Sequence, residues 1–341
     1  MRLAQVMAGA RLGGIELFFE RLTPALAEHG HEVVSIIRRN PVRAAKLRAA
    51  GVEVSELPFG GYFDLLTWGR LRRLLQGFKP EVVIGWSNRA NRFIPNGPWV
   101  RVGRPGGYYN LKYYKDCDHI AYTTHSLVRW AVEQGWPRQR AHRVPNFVDD
   151  PAGTPPASRS SLGVPEGVPL ALAMGRLHRN KGFDTLLNAV ARLPDLHLLL
   201  AGEGPEERAL RRHAANLGIS GRVRFLGWRQ DGPALRAAAD LFVISSNHEP
   251  FGSIVPEAWA SSLPLVSTAA QGPAEVIRHQ EDGLLVPCGD AEALADAMRA
   301  VLADPAGAAV MAAAGRRRFE AEYSRPAVLR QWNEFLQRIN P

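Results

Sequence analysis

Cysteine is nearly absent: the 341 residues hold two, Cys117 and Cys288, far apart in the sequence. Two such thiols supply neither a disulfide framework nor a zinc site, and a reducing compartment fits their scarcity. Long apolar runs are missing as well. The opening stretch, MRLAQVMAGARLGGIELFFERL, breaks its short apolar segment with glycines and charges, and nowhere does the chain approach ~18 uninterrupted apolar residues. Neither a signal peptide nor a membrane span is expected. The G-x-G-x-x-G dinucleotide fingerprint is lacking too, and no cluster of metal-ligating residues appears.

What is present is material for packed cores, with 46% hydrophobic and 22% charged residues. The length exceeds the usual size of one core, so two domains are expected. The net charge of +9 is distributed unevenly. Residues 1–150 carry 22 Lys and Arg against 13 Asp and Glu, while residues 151–341 carry 20 of each. Such a field suits an anionic partner, whether phosphorylated lipid, membrane surface or nucleic acid; a solvated basic face with no partner is the plain alternative.

The stretches RLAQVMAG, HEVVSII, GVEVSELPF, PEVVIGWS and HIAYTT read as buried strands, alternating with helical patterns such as IELFFERLTPALAEHG and DLLTWGRLRRLLQGF. Alternation of this kind predicts a parallel sheet wrapped by helices. The segment VPNFVDDPAGTPPASRSSLGVPEGVP, rich in Pro, Gly and Ser, reads as a linker. After it the pattern restarts, with LALAMGRL, HLLLAGEG, VRFLGW, LFVISS, PLVSTA and GLLVP as strands, and it ends on an amphipathic helix, YSRPAVLRQWNEFLQRINP. Two doubly wound α/β domains result, with ligands expected at the carboxyl ends of the strands, in a cleft.

Four strand-to-helix loops carry candidate chemistry. In MGRLHRNKGFDTLL, Arg176 and Lys181 stand beside Gly175 and Gly182, two cations on a flexible turn suited to a diphosphate. In ARLGGIEL, Gly13 and Gly14 would let backbone N–H groups approach a phosphate, although a plain tight turn has the same look. In NHEPFGSIVPE, Glu249 lies at a strand tip and Glu257 about a turn into a helix that starts near Gly252 or Ser253, because Pro256 belongs in a first turn. Glu257 on this spacing is equally a dipole-complementing acid. In STAAQGPAEVI, Glu275 either lines the same region or caps its helix.

Taken together, LGGIELFFERLTPALAEHGHEVV, VPNFVD, GRLHRNKGFDTLL, AGEGPEERALRRHAANLGISGRVRFLGW, ADLFVISSNHEPFGSIVPEAWASSLPLVST and GLLVPCGDAEALADAM resemble the retaining family 4 glycosyltransferases of GT-B fold. The resemblance implies two Rossmann-like domains, 1–148 for the acceptor and 149–322 for the nucleotide-sugar, with a helix over 323–341 crossing back to the first. It makes Glu249 and Glu257 the acids of the family's E-x7-E motif, Glu257 on the ribose and Glu249 beside the sugar. Arg176 and Lys181 would hold the diphosphate, the amides of Phe251, Gly252 and Ser253 would meet sugar hydroxyls or phosphate, and Gly13 and Gly14 would approach the diphosphate.

The resemblance further implies a metal-independent enzyme with no cofactor, using a UDP-, GDP- or ADP-linked sugar. Many relatives place a His in the acceptor domain near the reacting sugar; here the corresponding stretches read IGWSNRANRF and RPGGYYNLKYYKDCDHI, which leaves Asn88, Arg92, Tyr108, Lys112 and His119 as acceptor-side candidates. RPGGYYNLKYY and QGPAE look like enzymes of lipopolysaccharide core or surface-glycan assembly. The expected enzyme is cytoplasmic, peripheral at the inner membrane through its basic first half, and acts on a glycolipid or glycan. TWGRLRRLLQGFKP, with Trp68, Leu71, Leu74, Leu75 and Phe78 on one face and Arg70, Arg72 and Arg73 nearby, reads either as a membrane-surface helix or as an ordinary core-facing one. A nucleotide-sugar epimerase or hydrolase of the same fold is the alternative, and a basic nucleic-acid-binding protein the alternative from another class; the basic half lacks the motifs of known nucleic-acid modules.

Overall fold

The computed structural model describes every residue except 10–12, 62–63, 250–251 and 341. The chain divides into two compact units, one of Met1–Asn146 with the chain from Val328 on, the other of Phe147–Ala327.

The first unit is built on β1 (Arg2–Met7), β2 (Glu32–Arg38), β3 (Glu53–Leu57), β4 (Val82–Gly85), β5 (Val100–Gly103), β6 (His119–Tyr122) and β7 (Ala141–Arg143). They form one parallel sheet in the order β3-β2-β1-β4-β5-β6-β7. Its connecting helices are α1 (Gly14–Glu28), α2 (Pro41–Ala49), α3 (Leu65–Phe78), α4 (Asn88–Phe93) and α5 (His125–Glu133). Helices cover both faces, so Ala4, Val6, Val34 and Ile36 pack under Leu71 and Leu75 of α3. Trp86, at the end of β4, meets Phe18 and Phe19 of α1 and donates its indole N–H to Gln5 at 2.5 Å.

In the second unit, β8 (Leu170–Met174), β9 (His197–Ala201), β10 (Val223–Gly227), β11 (Leu241–Ile244), β12 (Leu265–Thr268) and β13 (Leu284–Val286) form a parallel sheet ordered β10-β9-β8-β11-β12-β13. Its helices are α6 (Phe183–Ala191), α7 (Glu207–Asn216), α8 (Gly232–Ala238), α9 (Ile254–Ala260), α10 (Gln271–Val276), α11 (Ala291–Ala303) and α12 (Pro305–Arg318). α13 (Arg325–Ile339) follows, and from Val328 onward it belongs with the first unit. In both sheets the first strand of the unit lies centrally and the order reverses beside it, the doubly wound arrangement expected from the sequence.

Two strands escaped the sequence reading, β5 and β7. Each is four residues or fewer and carries an arginine, Arg101 or Arg143, which disguises a buried strand. Arg101 is nonetheless buried, donating to Asn96 and to the Asn91 carbonyl at 3.0 and 2.9 Å. The Pro, Gly and Ser-rich stretch is also less of a free linker than its composition suggests. Leu162 and Val164 are buried in the second core, and Arg159 fastens the segment to Asp240 at 2.7 Å.

Candidate functional site

β8, β11 and β12 are neighbours running in the same direction, so the loops that follow them leave one edge of the second sheet. The loop after β8 turns at Gly175, makes one 3-10 turn over Arg179–Lys181, and enters α6 through Gly182. Gly182 has φ +58°, in the left-handed region, and a Cβ there would sit 2.1 Å from the Ser245 carbonyl oxygen. Only glycine fits. That close approach locks the β8 loop to the end of β11: Ser245 Oγ donates to the Lys181 carbonyl at 2.8 Å, and the amides of Asn247 and His248 donate to the Asn180 carbonyl at 2.8 and 3.1 Å.

Glu249 is the knot between the loops. Its Oε2 accepts a hydrogen bond from Lys181 Nζ, its Oε1 accepts from the Gly252 amide at 3.2 Å, and its carbonyl accepts from the Gly272 amide of α10 at 2.7 Å. One acid therefore ties together the loops after β8, β11 and β12. Arg176 stands apart from this network; it is exposed and makes no hydrogen bond or ion pair with any described residue. α6 begins at Gly182 without a side-chain cap, which leaves its first amides available to an anion near Lys181.

Glu257 lies in α9 and faces a different cation. Arg236 of α8 donates from Nη1 to Glu257 Oε2 at 2.9 Å and from Nε to Ser261 Oγ at 2.9 Å. Arg236 is only 5% exposed, and burial lowers its pKa while Glu257 opposes that fall. Each of the two carboxylates thus has its own cationic partner. Beside Arg236, a cavity of about 170 Å³ is lined by Met174, Gly175, Gly202, Trp228, Arg229 and Ile254. Trp228 is 65% exposed at its mouth, and Asp231 grips Arg229 through both oxygens, at 2.8 and 2.5 Å.

Of the residues singled out in the sequence, Lys181, Glu249 and Gly252 meet directly, Glu257 is held one helix turn further on, and Ser253 is exposed at the start of α9. Phe251 lies outside the described residues. Glu275 lies in the short α10. Arg236 was missed; in GPALRAAAD it looks like a surface arginine, and the acid it serves is 21 positions away.

In the first unit, Gly13 caps α1 and Gly14 is its first residue. Gly13 has extended backbone, but a Cβ there would lie 2.5 Å from Glu16 Oε2, the end of a flexible side chain that would have to move; a Cβ on Gly14 would meet nothing within 4 Å among the described residues. Nearby, a cavity of about 290 Å³ at the carboxyl edge of the sheet is lined by Glu16, Arg38, Asn88, Arg89 and Tyr109. Asn88 accepts a hydrogen bond from the Tyr114 hydroxyl at 2.7 Å. Arg92 is exposed and donates to the Gly61 carbonyl at 3.1 Å, Tyr108 packs edge-on against Trp130, and exposed Lys112 lies over the Tyr113 ring. His119 is placed differently. It opens β6 and therefore lies at the amino edge of the sheet, away from the loops after β4 and β5, with its Nδ1 3.0 Å from His142 Nε2. Among the described residues no three His, Cys, Asp or Glu side chains are grouped to hold a metal ion.

Comparison with known proteins matches residues 156–318 to the family described as glycosyl transferases group 1 and residues 12–150 to that described as glycosyltransferase family 4. The lipopolysaccharide core biosynthesis glycosyltransferase LpsE of Rhizobium meliloti (strain 1021) is 36% identical over 332 residues, covering 95% of this chain and 96% of the relative. LpsD of the same strain, with the same description, is 34% identical over 336 residues, covering 96% and 95%. Among solved structures, Anabaena Alr3699/HepE in complex with UDP superposes with a TM-score of 0.85 over 99% of this chain and 100% of that one, at 19% identity.

Proposed function

The chain belongs to the family 4 glycosyltransferases and has their GT-B fold, and from that premise we propose that it moves a sugar from a nucleotide-sugar to a glycolipid or glycan acceptor in the assembly of a bacterial surface glycan such as a lipopolysaccharide core. The observation that carries the donor half of this reading is the Lys181–Glu249–Gly252 knot at the carboxyl edge of the second sheet, with exposed Arg176 on the same loop as Lys181. Support for the acceptor class comes from the names of the two Rhizobium relatives, and support for a nucleotide donor from the UDP bound by the Anabaena protein.

In this reading Arg176 and Lys181 take the diphosphate, with the uncapped amides at the start of α6 adding to the positive potential. Glu257, oriented by Arg236, accepts hydrogen bonds from the ribose hydroxyls, and the base enters the cavity under Trp228. Glu249 keeps Lys181 in place and lies beside the sugar, whose hydroxyls meet the amides of Phe251, Gly252 and Ser253. As the bond from the anomeric carbon to the phosphate oxygen breaks, charge accumulates on that oxygen, where Arg176 and Lys181 stabilise it. The acceptor hydroxyl attacks from the same face, its oxygen bonds the anomeric carbon, and its proton passes to the departing phosphate. The configuration is retained and no metal is required.

On the acceptor side, Arg38, Asn88 and Arg89 border the cavity of the first unit.

The test is nucleotide release from a panel of UDP-, GDP- and ADP-sugars, with and without a lipopolysaccharide-core or glycan acceptor and with and without EDTA, followed by NMR of the new linkage. The expected result is acceptor-dependent release from one donor, unaffected by EDTA, with the donor's anomeric configuration in the product. Sugar turnover without acceptor would point to an epimerase or hydrolase, and an inverted linkage or loss of activity in EDTA would refute the mechanism.

A further inference from the structure

The cavity at the carboxyl edge of the first sheet has one carboxylate on its border, that of Glu16 in the first turn of α1. Glu16 is half-buried, and among the described residues its carboxylate makes no hydrogen bond and has no cation within 4.0 Å. Two glycines make room for it. A Cβ on Gly9 would run into Glu16 Oε1, and one on Gly13 would lie 2.5 Å from Oε2. Gly13 is extended and Gly9 has no left-handed φ, so the backbone itself does not call for glycine at either position. What a larger residue would disturb there is the seat of this carboxylate.

A carboxylate drawn partly out of water without a partner loses hydration and gains no bond in return. The positive end of α1 favours any first-turn acid, but it favours one standing in open solvent as well and requires no cleared seat. The other polar side chains at this cavity have the opposite character. Arg38 and Arg89 carry only donors, and Asn88 uses its carbonyl oxygen to accept from the Tyr114 hydroxyl, which leaves the N–H groups of its amide. Neither arginine comes within 4.0 Å of Glu16, so one acceptor and several donors stand apart around a space of about 290 Å³. A sugar matches that arrangement: its hydroxyls donate to a carboxylate, and its oxygens accept from guanidinium and amide groups.

We propose that Glu16 is an acceptor-binding residue, whose carboxylate, seated over Gly9 and Gly13, accepts hydrogen bonds from hydroxyls of the acceptor sugar and so selects which sugar the cavity takes. This assignment rests on the reading of the first unit's cavity as the acceptor's. A site built to accept from a hydroxyl discriminates strongly against a sugar that lacks it, because its own charged group is then left unpaired. Gly9 enters as the residue that keeps the carboxylate in position: it touches no substrate, and it acts by leaving the space that Oε1 occupies.

The experiment is steady-state transfer by the full chain to a delipidated lipopolysaccharide-core oligosaccharide, with the acceptor and the donor varied separately and nucleotide binding followed by calorimetry. Glu16→Ala is expected to raise the acceptor KM by roughly tenfold or more, and Glu16→Gln by less, since an amide oxygen still accepts. Donor KM and nucleotide binding are expected to stay at their wild-type values in both. Gly9→Ala, which displaces the carboxylate, is expected to raise the acceptor KM in the wild type and to add nothing in the Glu16→Ala background. A wild-type acceptor KM in Glu16→Ala, a donor KM that rises with it, loss of nucleotide binding, or a Gly9→Ala effect of equal size with and without Glu16 would overturn the assignment. A wild type that transfers to no acceptor would remove the functional reading and this assignment with it, whereas a wild type that transfers and is matched by Glu16→Ala removes the assignment alone.

Discussion

At the scale of single residues, the most informative side chain is Arg236. It is nearly fully buried, has one carboxylate partner, and fixes the orientation of Glu257 from behind. In the proposed reaction Glu257 grips a part of the donor that does not react, so its loss of orientation weakens substrate and transition state alike. Arg236→Met is expected to raise the donor KM by about tenfold, equivalent to roughly 1.4 kcal/mol, with much less effect on kcat, and Arg236→Lys to recover part of the loss. Steady-state kinetics decide it: a fall in kcat at constant KM, or a lysine variant no better than methionine, contradicts the positioning role. The sequence exposed the two acids and the two cations as separate motifs, since each has its own turn or helix start. It could not expose the pairing of Lys181 with Glu249, 68 positions apart, which the parallel pairing of β8 with β11 brings about, or of Arg236 with Glu257, which depends on the packing of α8 and α9, the helices that precede and follow β11.

At the scale of elements, β6, β7 and α13 meet around a pair of histidines. His119 and His142 face each other at 3.0 Å, and the His142 ring packs against Phe335 of α13 at 4.9 Å. Burial, and then the neighbouring His119, Arg338 and Arg138, push the His142 imidazole down to about 4; burial lowers His119 as well. The folded chain therefore holds His142 neutral where the unfolded chain, with an ordinary value of 6.5, takes up a proton. Stability is undiminished by this pair above about 6.5 and is lost as the pH falls from there towards about 4. Protonation also sets two N–H donors against each other across the pair. Urea unfolding of the wild type is expected to show a midpoint that drops over this window, and His142→Phe a shallower drop. An unchanged slope in the variant counts against the account.

The same elements show how far the sequence was legible. Strands such as β8, β9 and β11 stood out because burial on both faces makes them nearly continuous apolar runs, as in LALAM and LFVI. β5 and β7 did not, being short and carrying an arginine each; the charge of Arg101 in β5 is met by the Asn91 carbonyl and the Asn96 side chain, which no local pattern reveals. His119 fell in a readable strand, but which end of that strand faces a site depends on its direction in the sheet.

At the scale of the whole molecule, the chain is two doubly wound units with different charge and different candidate tasks. The cationic excess belongs to residues 1–150, where the cavity bordered by Arg38 and Arg89 lies. The second half is neutral in sum and holds two ion pairs, Lys181 with Glu249 and Arg236 with Glu257, among the residues of the candidate donor site. No single described helix is long and apolar enough to cross a membrane. The central claim is that the second unit holds a nucleotide diphosphate through Arg176, Lys181 and Glu257. Calorimetric titration of UDP, GDP and ADP into the wild type, Lys181→Ala and Glu257→Gln tests it most directly. The account predicts that one of the three nucleotides binds the wild type and that each variant binds it at least about tenfold more weakly, roughly 1.4 kcal/mol or more; no binding by any nucleotide, or variants that bind as the wild type does, would contradict it.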